Sequence, residues 1–293
     1  MNGKFSPRAS YALSLPGGRT LSLGPRCLVM GVLNVTPDSF ADSAPFADSA
    51  SAVEAARRMV HEGADLIDVG GESTRPGARP VPADEEARRV LPVVRALAGQ
   101  LNVPVSIDTT KAVIARDALA EGAAIVNDVS ALRYDPALGS VVARAGAGLI
   151  LMHMRGRPAA MYAEARYGNV MGEIVRELDE QVRAAIAAGI ARDRLVVDPG
   201  VGFAKRPADS YGVLARLPEL ATALDRPILV GPSRKSFMRD ALEGRPAVER
   251  DWGTAAAVTA AVLGGAHIVR VHAVGAMTQV VKVADEIRSA WSD

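Results

Sequence analysis

Polar and charged side chains recur where short apolar runs end. Leu28–Leu33 leads to Asn34, and Leu66–Val69 carries Asp68 and leads to Glu72. Val103–Ile107 leads to Asp108, Ala124–Val126 to Asn127 and Asp128, Leu149–Met152 to His153, and Leu195–Val197 to Asp198. Ile228–Val230 leads to Ser233, Arg234 and Lys235, and His267–Val271 carries Arg270 and leads to His272. One such residue is an ordinary loop or helix cap. A polar group at nearly every exit points instead to a ligand held in common.

These residues fall into two chemical groups. Asp108, Asn127 and Asp198 offer acceptors and an amide, which suit a flat ring with several N–H donors and a carbonyl. Two buried carboxylates are costly to desolvate unless a donor-rich ligand or a cation meets them, and Lys235 is the natural cation. A helix N-cap is the competing role for Asp108, which precedes Thr109-Thr110 and a helix-like run. Asn34, Arg75, Arg270 and His272 suit phosphate oxygens, which an arginine fork grips well. Arg270 and His272 are two apart on one strand, so they point to the same side. An arginine facing a barrel interior needs an anion, either a phosphate or a neighbouring carboxylate.

Such a ring needs elements that bring all the ends together. The apolar runs alternate with helix-like stretches at Ser51–Glu62, Ala83–Gly99, Ala112–Glu121, Val170–Ala188 and Ala276–Ser289. Ile174, Leu178 and Val182 have the spacing of one helix face. Continuous apolar strands between helices imply a buried parallel sheet. Roughly eight such units predict a (β/α)₈ barrel, with an open doubly wound sheet as the alternative. Residues 1–26 are read as an extension in which Tyr11–Gly24, turning at Pro16-Gly17-Gly18, forms a hairpin over the barrel's N-terminal end. No linker or low-complexity tract divides the 293 residues, so one domain is expected. The segments Asn34–Asp42 and Gly70–Gly77 are read as lids at the barrel mouth, and Asp240–Asp251 as a polar loop in the seventh unit.

Composition narrows the function further. A formal charge of +1 gives no long-range pull on nucleic acid or anionic membranes, so neither is expected as a partner. Met1–Ser10 has no apolar stretch of the kind a secretory signal needs. Gly253–Gly265, Ala-rich and uncharged, falls short of the ~20 residues of a membrane span and is read as a buried helix. The one cysteine, Cys27, lies in an apolar run and fits a core thiol in a reducing, cytoplasmic compartment. The sequence has no P-loop, HExxH, GxSxG, GxGxxG or Cys/His metal cluster, which removes the corresponding hydrolases and Rossmann dehydrogenases.

Eight motifs, in order, together resemble the dihydropteroate synthases, from about Leu28 to about Ile287. They are Met30-Gly31-Val32-Leu33-Asn34-Val35-Thr36-Pro37-Asp38-Ser39-Phe40, Asp68-Val69-Gly70-Gly71-Glu72-Ser73-Thr74-Arg75-Pro76-Gly77, Ser106-Ile107-Asp108-Thr109, Val126-Asn127-Asp128-Val129-Ser130, Met152-His153-Met154-Arg155-Gly156, Asp198-Pro199-Gly200, Ser233-Arg234-Lys235-Ser236 and Arg270-Val271-His272. The resemblance implies a transferase joining 6-hydroxymethyl-7,8-dihydropterin diphosphate to 4-aminobenzoate, with diphosphate leaving in a dissociative substitution. It implies that Asp108, Asn127, Asp198 and Lys235 hold the pterin. Asn34, Arg75, Arg270 and His272 would hold the diphosphate, with Asn34 a ligand of Mg²⁺. Phe40, Asp42, Thr74, Arg75, Pro76, Phe203 and Ser236 would form the 4-aminobenzoate site, the target of sulfonamides. Catalysis would rest on Asp108, Asp198, Lys235, Arg270 and His272, in a homodimer. The chain departs from the family pattern at Ala273 and Ala204 and in the lid stretch Asp42-Ser43-Ala44-Pro45-Phe46. A silent paralogue that binds pterin, or a pterin-binding methyltransferase module, is the alternative.

Overall fold

The structure, a computed structural model, describes residues 7–35, 49–74 and 77–292. An antiparallel hairpin of β1 (Tyr11–Ser14) and β2 (Thr20–Leu23) comes first. There follow β3 (Leu28–Asn34), α1 (Ser49–His61), β4 (Leu66–Gly70), α2 (Ala83–Ala98), β5 (Val105–Asp108), α3 (Ala112–Ala120), β6 (Ile125–Asp128), α4 (Leu138–Ala145) and β7 (Gly148–Met152). Next come α5 (Val170–Ala187), β8 (Leu195–Asp198), α6 (Pro207–Ala215), α7 (Leu217–Leu224), β9 (Leu229–Val230), α8 (Asp251–Leu263), β10 (Ile268–Val271) and α9 (Val274–Ser292). Eight strands pair in parallel in the order β8-β7-β6-β5-β4-β3-β10-β9. A parallel bridge between Val197 and Ile228 joins the two outer strands. The expected (β/α)₈ barrel therefore closes, and the open doubly wound alternative is excluded.

The strands carry two apolar faces because each face meets a different layer. Leu28 and Met30 of β3 pack with Leu66, Ile125, Ile150, Val196, Leu229 and Ile268, and with Leu13, Leu15 and Leu23 of the hairpin. Val29 and Leu33 pack outward among the helices. The period of two along a strand thus sends alternate residues into the barrel. The hairpin fills the lower end, as expected from its turn signal. A Cβ at Gly148 would sit 3.2 Å from Leu15, so glycine lets the hairpin approach the start of β7.

The strand boundaries differ slightly from the apolar runs. Asn34, Asp108, Asn127, Asp128 and Asp198 are the closing residues of strands and not the first residues after them. Their backbones still bond in the ladder: Asp108 is in register with Gly70 and Asn127. A polar side chain there is fixed by sheet geometry. Gly253–Gly265 is the helix expected, with Thr254, Ala257, Val258, Ala261 and Val262 of α8 buried.

Candidate active site

The inward stripe of each strand continues past the apolar layer. On β3 it runs Leu28, Met30, Val32, Asn34, and on β10 Ile268, then Arg270, then His272 beyond the strand. The same step of two takes β4 to Asp68, β5 from Ser106 to Asp108, β6 to Asn127 and β8 to Asp198. The barrel interior is therefore apolar below and polar above. At the polar end lies a cavity of about 430 Å³, lined among others by Asn34, Thr74, Asp108, Phe203, Ser233, Lys235, Ser236, Arg270 and His272. Asn127 and Asp198 are buried at the same strand ends but are not among the residues lining that cavity.

Arg270 ties the acidic residues together. Its Nε donates to Asp68 Oδ2 at 2.6 Å, and its Nη2 to Asp108 Oδ2 at 2.8 Å. Asn127 Nδ2 donates to the same Asp68 oxygen at 2.9 Å, while Asp68 Oδ1 is buried without a partner. Burial lifts the Asp108 carboxyl to about 7, against the pull of Arg270 and with help from Asp68. The carboxylate contact expected as one of two roles for Arg270 is thus present. The N-cap role for Asp108 is overturned. The first turn of α3 is met by Asp135 Oδ2, which accepts from Ala112 N at 2.8 Å, because Asp108 is turned into the barrel by its strand register.

Lys235 makes no direct ion pair with either aspartate among the described residues. Its Nζ donates to Val201 O at 2.6 Å and lies 4.2 Å from the Phe203 ring centroid. Burial draws its pKa down to about 8, with Asp198 and Asp108 opposing from longer range. Burial raises that of Asp198, which Lys235 and the Gly200 amide resist. Gly200 N donates to Asp198 Oδ1 at 2.7 Å. Asp68 Oδ1 is left without a partner and burial raises both Asp108 and Asp198, which favours a ligand rich in N–H donors.

The loop before Lys235 aims two further groups. Arg234 takes a positive φ of 59° and pairs with Asp251 through Nε and Nη2 at 2.8 and 2.9 Å. Ser233 Oγ lies 2.9 Å from His272 Nδ1 and accepts from His272 N at 3.2 Å. Ser236 Oγ lies 2.8 Å from the Tyr162 hydroxyl. Phe40, Asp42, Arg75 and Pro76 lie outside the described residues.

A family model described as pterin binding enzyme matches residues 30–272. A dihydropteroate synthase of Synechocystis is 46% identical over 93% of this chain and 94% of its own length. The chain belongs to the dihydropteroate synthases. A Yersinia pestis dihydropteroate synthase solved with a sulfonamide drug superposes with a TM-score of 0.90 at 41% identity, over 95% of this chain and 99% of that one. A Xanthomonas albilineans dihydropteroate synthase solved with 4-aminobenzoic acid gives 0.88 at 42% identity, over 96% and 99%.

Sequence reasoning noted Asp68 and Ser233 at strand ends but gave them no role in the synthase site. Asp68 is the acceptor shared by Arg270 and Asn127, and its inward position on β4, two residues after Leu66, was the available signal. Lys205 left no such signal. It lies in the loop after β8, yet is only 1% exposed and bonds to His153. Ala204, one of the departures from the family pattern, takes a left-handed φ of 46°, a conformation that glycine adopts without a Cβ penalty.

Proposed function

We propose that this chain condenses 6-hydroxymethyl-7,8-dihydropterin diphosphate with 4-aminobenzoate, giving 7,8-dihydropteroate and diphosphate. The observation that carries this reading is the polar layer around the 430 Å³ cavity, with Asp68 and Asp108 both bonded to Arg270 and Lys235 beside them. It belongs to a chain that matches, nearly end to end, a synthase solved with 4-aminobenzoic acid.

In this reading Asp108, Asn127, Asp198 and Lys235 hold the pterin. The ring's N–H donors answer the buried carboxyl groups, and Lys235 meets its carbonyl side. As diphosphate leaves, positive charge develops on the pterin methylene, and Asp198 stabilises it through the ring. Arg270 and His272 hold the departing diphosphate; Arg270 keeps Nη1 for it while Nε and Nη2 fix the side chain. Thr74, Phe203 and Ser236 line the same cavity and receive 4-aminobenzoate, joined by Phe40, Asp42, Arg75 and Pro76. Sulfonamides would compete there. No side chain is needed as a nucleophile.

Magnesium fits the residues present. It is commonly held by one or two protein oxygens together with substrate phosphates, and the Asn34 side chain on the cavity wall supplies such an oxygen. Bound there, Mg²⁺ would neutralise diphosphate charge and make it a better leaving group. The buried Cys27, whose thiol burial pushes up to about 12, supports a reducing cytoplasm as the setting. No helix among the described residues is long and apolar enough to cross a membrane. We also read the chain as a homodimer, through the outer face of α9.

The test is dihydropteroate formation from the two substrates, with Mg²⁺ and with chelator. Lys235→Gln should lower kcat/KM by roughly 100-fold or more while the barrel stays folded. Pterin binding without product would leave a silent paralogue, and no pterin binding would sink the reading altogether.

A further inference from the structure

The segment from Pro199 to Lys205 links β8 to α6 and brings Gly202 and Phe203 to the cavity wall. Its backbone is unusual. Gly200, Gly202 and Ala204 take φ of 65°, 79° and 46°. A Cβ at Gly200 would run into the His153 carbonyl oxygen, so the strap lies directly against the end of β7. Something must hold so contorted a strap in one shape.

The only fully buried lysine among the described residues sits at its end. Lys205 Nζ is 2.9 Å from His153 Nδ1 and donates to His153 O at 3.3 Å and to Phe203 O at 3.1 Å. An ammonium has three N–H groups, and here each meets an acceptor. His153 Nε2 lies 3.0 Å from Glu177 Oε2, which makes it the protonated nitrogen and leaves Nδ1 to accept. Burial, then the Lys205 charge, hold His153 neutral by drawing its pKa to about 3. Burial would raise Glu177, but bonds from His153 and Arg155 keep it well below the usual carboxylate range. The order Arg155–Glu177–His153–Lys205 is thereby fixed.

The chain of contacts continues to the cavity. The strap that Lys205 grips offers Val201 O to Lys235 Nζ at 2.6 Å and sets the Phe203 ring 4.2 Å from the same nitrogen. We propose that Lys205 is a positioning residue for the synthase reaction: its buried ammonium clamps the strap to β7 and so aims Lys235 and the Phe203 ring into the cavity. The proposal rests on the synthase reading. The charged groups acting on Lys205 are Asp198, Glu177, Lys235 and Arg155, and the Tyr167 ring lies 5.9 Å from its nitrogen. Burial draws its own pKa to about 7.

Lys205→Met keeps the volume and removes the donors; Lys205→Gln restores part of them. Both variants of the full chain are to be assayed with each substrate varied, and hydrogen exchange followed over residues 199–206. In Lys205→Met the expected result is a kcat lower by about 10- to 100-fold and a KM for 4-aminobenzoate about 10-fold higher. Lys205→Gln should fall between, and it carries the test should the methionine variant not fold. Strap amides should exchange ~10-fold faster while those of β8 do not change. Variants that lose stability yet keep kcat and both KM values, or that leave strap exchange unaltered, overturn the clamp. If the unmodified protein made no dihydropteroate, the synthase reading would fall, and exchange over the strap would still decide whether Lys205 holds it.

Discussion

Arg270 sits between Asp68 and Asp108, and that pairing governs how its charge can be probed. Replacing Arg270 by alanine would leave Asp68, fully buried, without its cation, and breaking a buried pair in this way typically costs about 3–5 kcal/mol. Lost activity in that variant would mix misfolding with lost chemistry, which makes Lys235 the better probe of the site. Lys235 also sets a pH dependence, together with Lys205. In the unfolded chain both lysines keep their protons to about 10.5, whereas folded Lys205 releases its proton near 7 and Lys235 near 8. Above pH 7 the unfolded state then binds more protons than the folded one, so stability rises with pH. Asp108, held near 7 in the folded chain, opposes this by a fraction of a proton until it is ionised, and Cys27 opposes it once its thiol ionises in the unfolded chain, towards pH 9; over this interval the two lysines outweigh both. The ligand-free protein should therefore melt at a higher temperature at pH 8.5 than at pH 7.0, while kcat/KM for the pterin diphosphate falls as Lys235 is discharged. A melting temperature that is flat or falling over that interval, by calorimetry, would show that the two lysines are not held as described. The inward direction of Arg270 was legible from its place two residues before His272. Which anion it meets in the ligand-free protein was not, since both a carboxylate and a phosphate satisfy the same fork.

The elements were legible to different degrees, for physical reasons. Seven of the apolar runs became full strands because parallel barrel strands are buried on both sides and leave an uninterrupted apolar signature. In the seventh unit only Leu229–Val230 forms a strand, since Pro227 and Pro232 flank it and lack the N–H a ladder needs. The turn at Pro16-Gly17-Gly18 disclosed the hairpin, and the outcome gives it a clear task. Leu13 and Leu15 are each 2% exposed and fill the lower end of the barrel against Met30, Leu66 and Ile268. Leu13→Ala should cost about 2–4 kcal/mol in denaturant unfolding, from lost burial plus the void left in a rigid wall. The polar layer proposed to bind substrate lies one step higher on the same stripes, so kcat at 25 °C should stay within about twofold of the parent. A cost below about 1 kcal/mol would mean that the hairpin caps the barrel without supporting it. The clamp at Lys205 was beyond reach at this scale, because nothing in a loop's sequence says that its lysine folds inward onto a histidine fifty-two residues earlier.

For the whole molecule, two apolar stretches could serve self-association, the Gly253–Gly265 run and the final helix. The fold separates them. α8 spends its apolar residues inside, where Thr254, Ala257, Val258, Ala261 and Val262 are buried, and packs beside α9. α9 keeps Val283 at 62% and Ile287 at 44% exposure; four residues apart, they share one helix face. Trp252, on the first turn of α8, is 89% exposed. A stable interface buries about 800 Å² on each partner, so in the proposed dimer two side chains would not suffice and much of the outer face of α9 would take part. Light scattering on the eluting protein at micromolar concentration should thus give twice the chain mass of 30.6 kDa. Val283→Glu with Ile287→Glu would place like charges in the contact and should return the single-chain mass, with activity per chain retained within about twofold. A parent protein that runs at the single-chain mass would remove the dimer. A double variant that stays dimeric would move the interface off α9, with the exposed Trp252 as the next surface to alter.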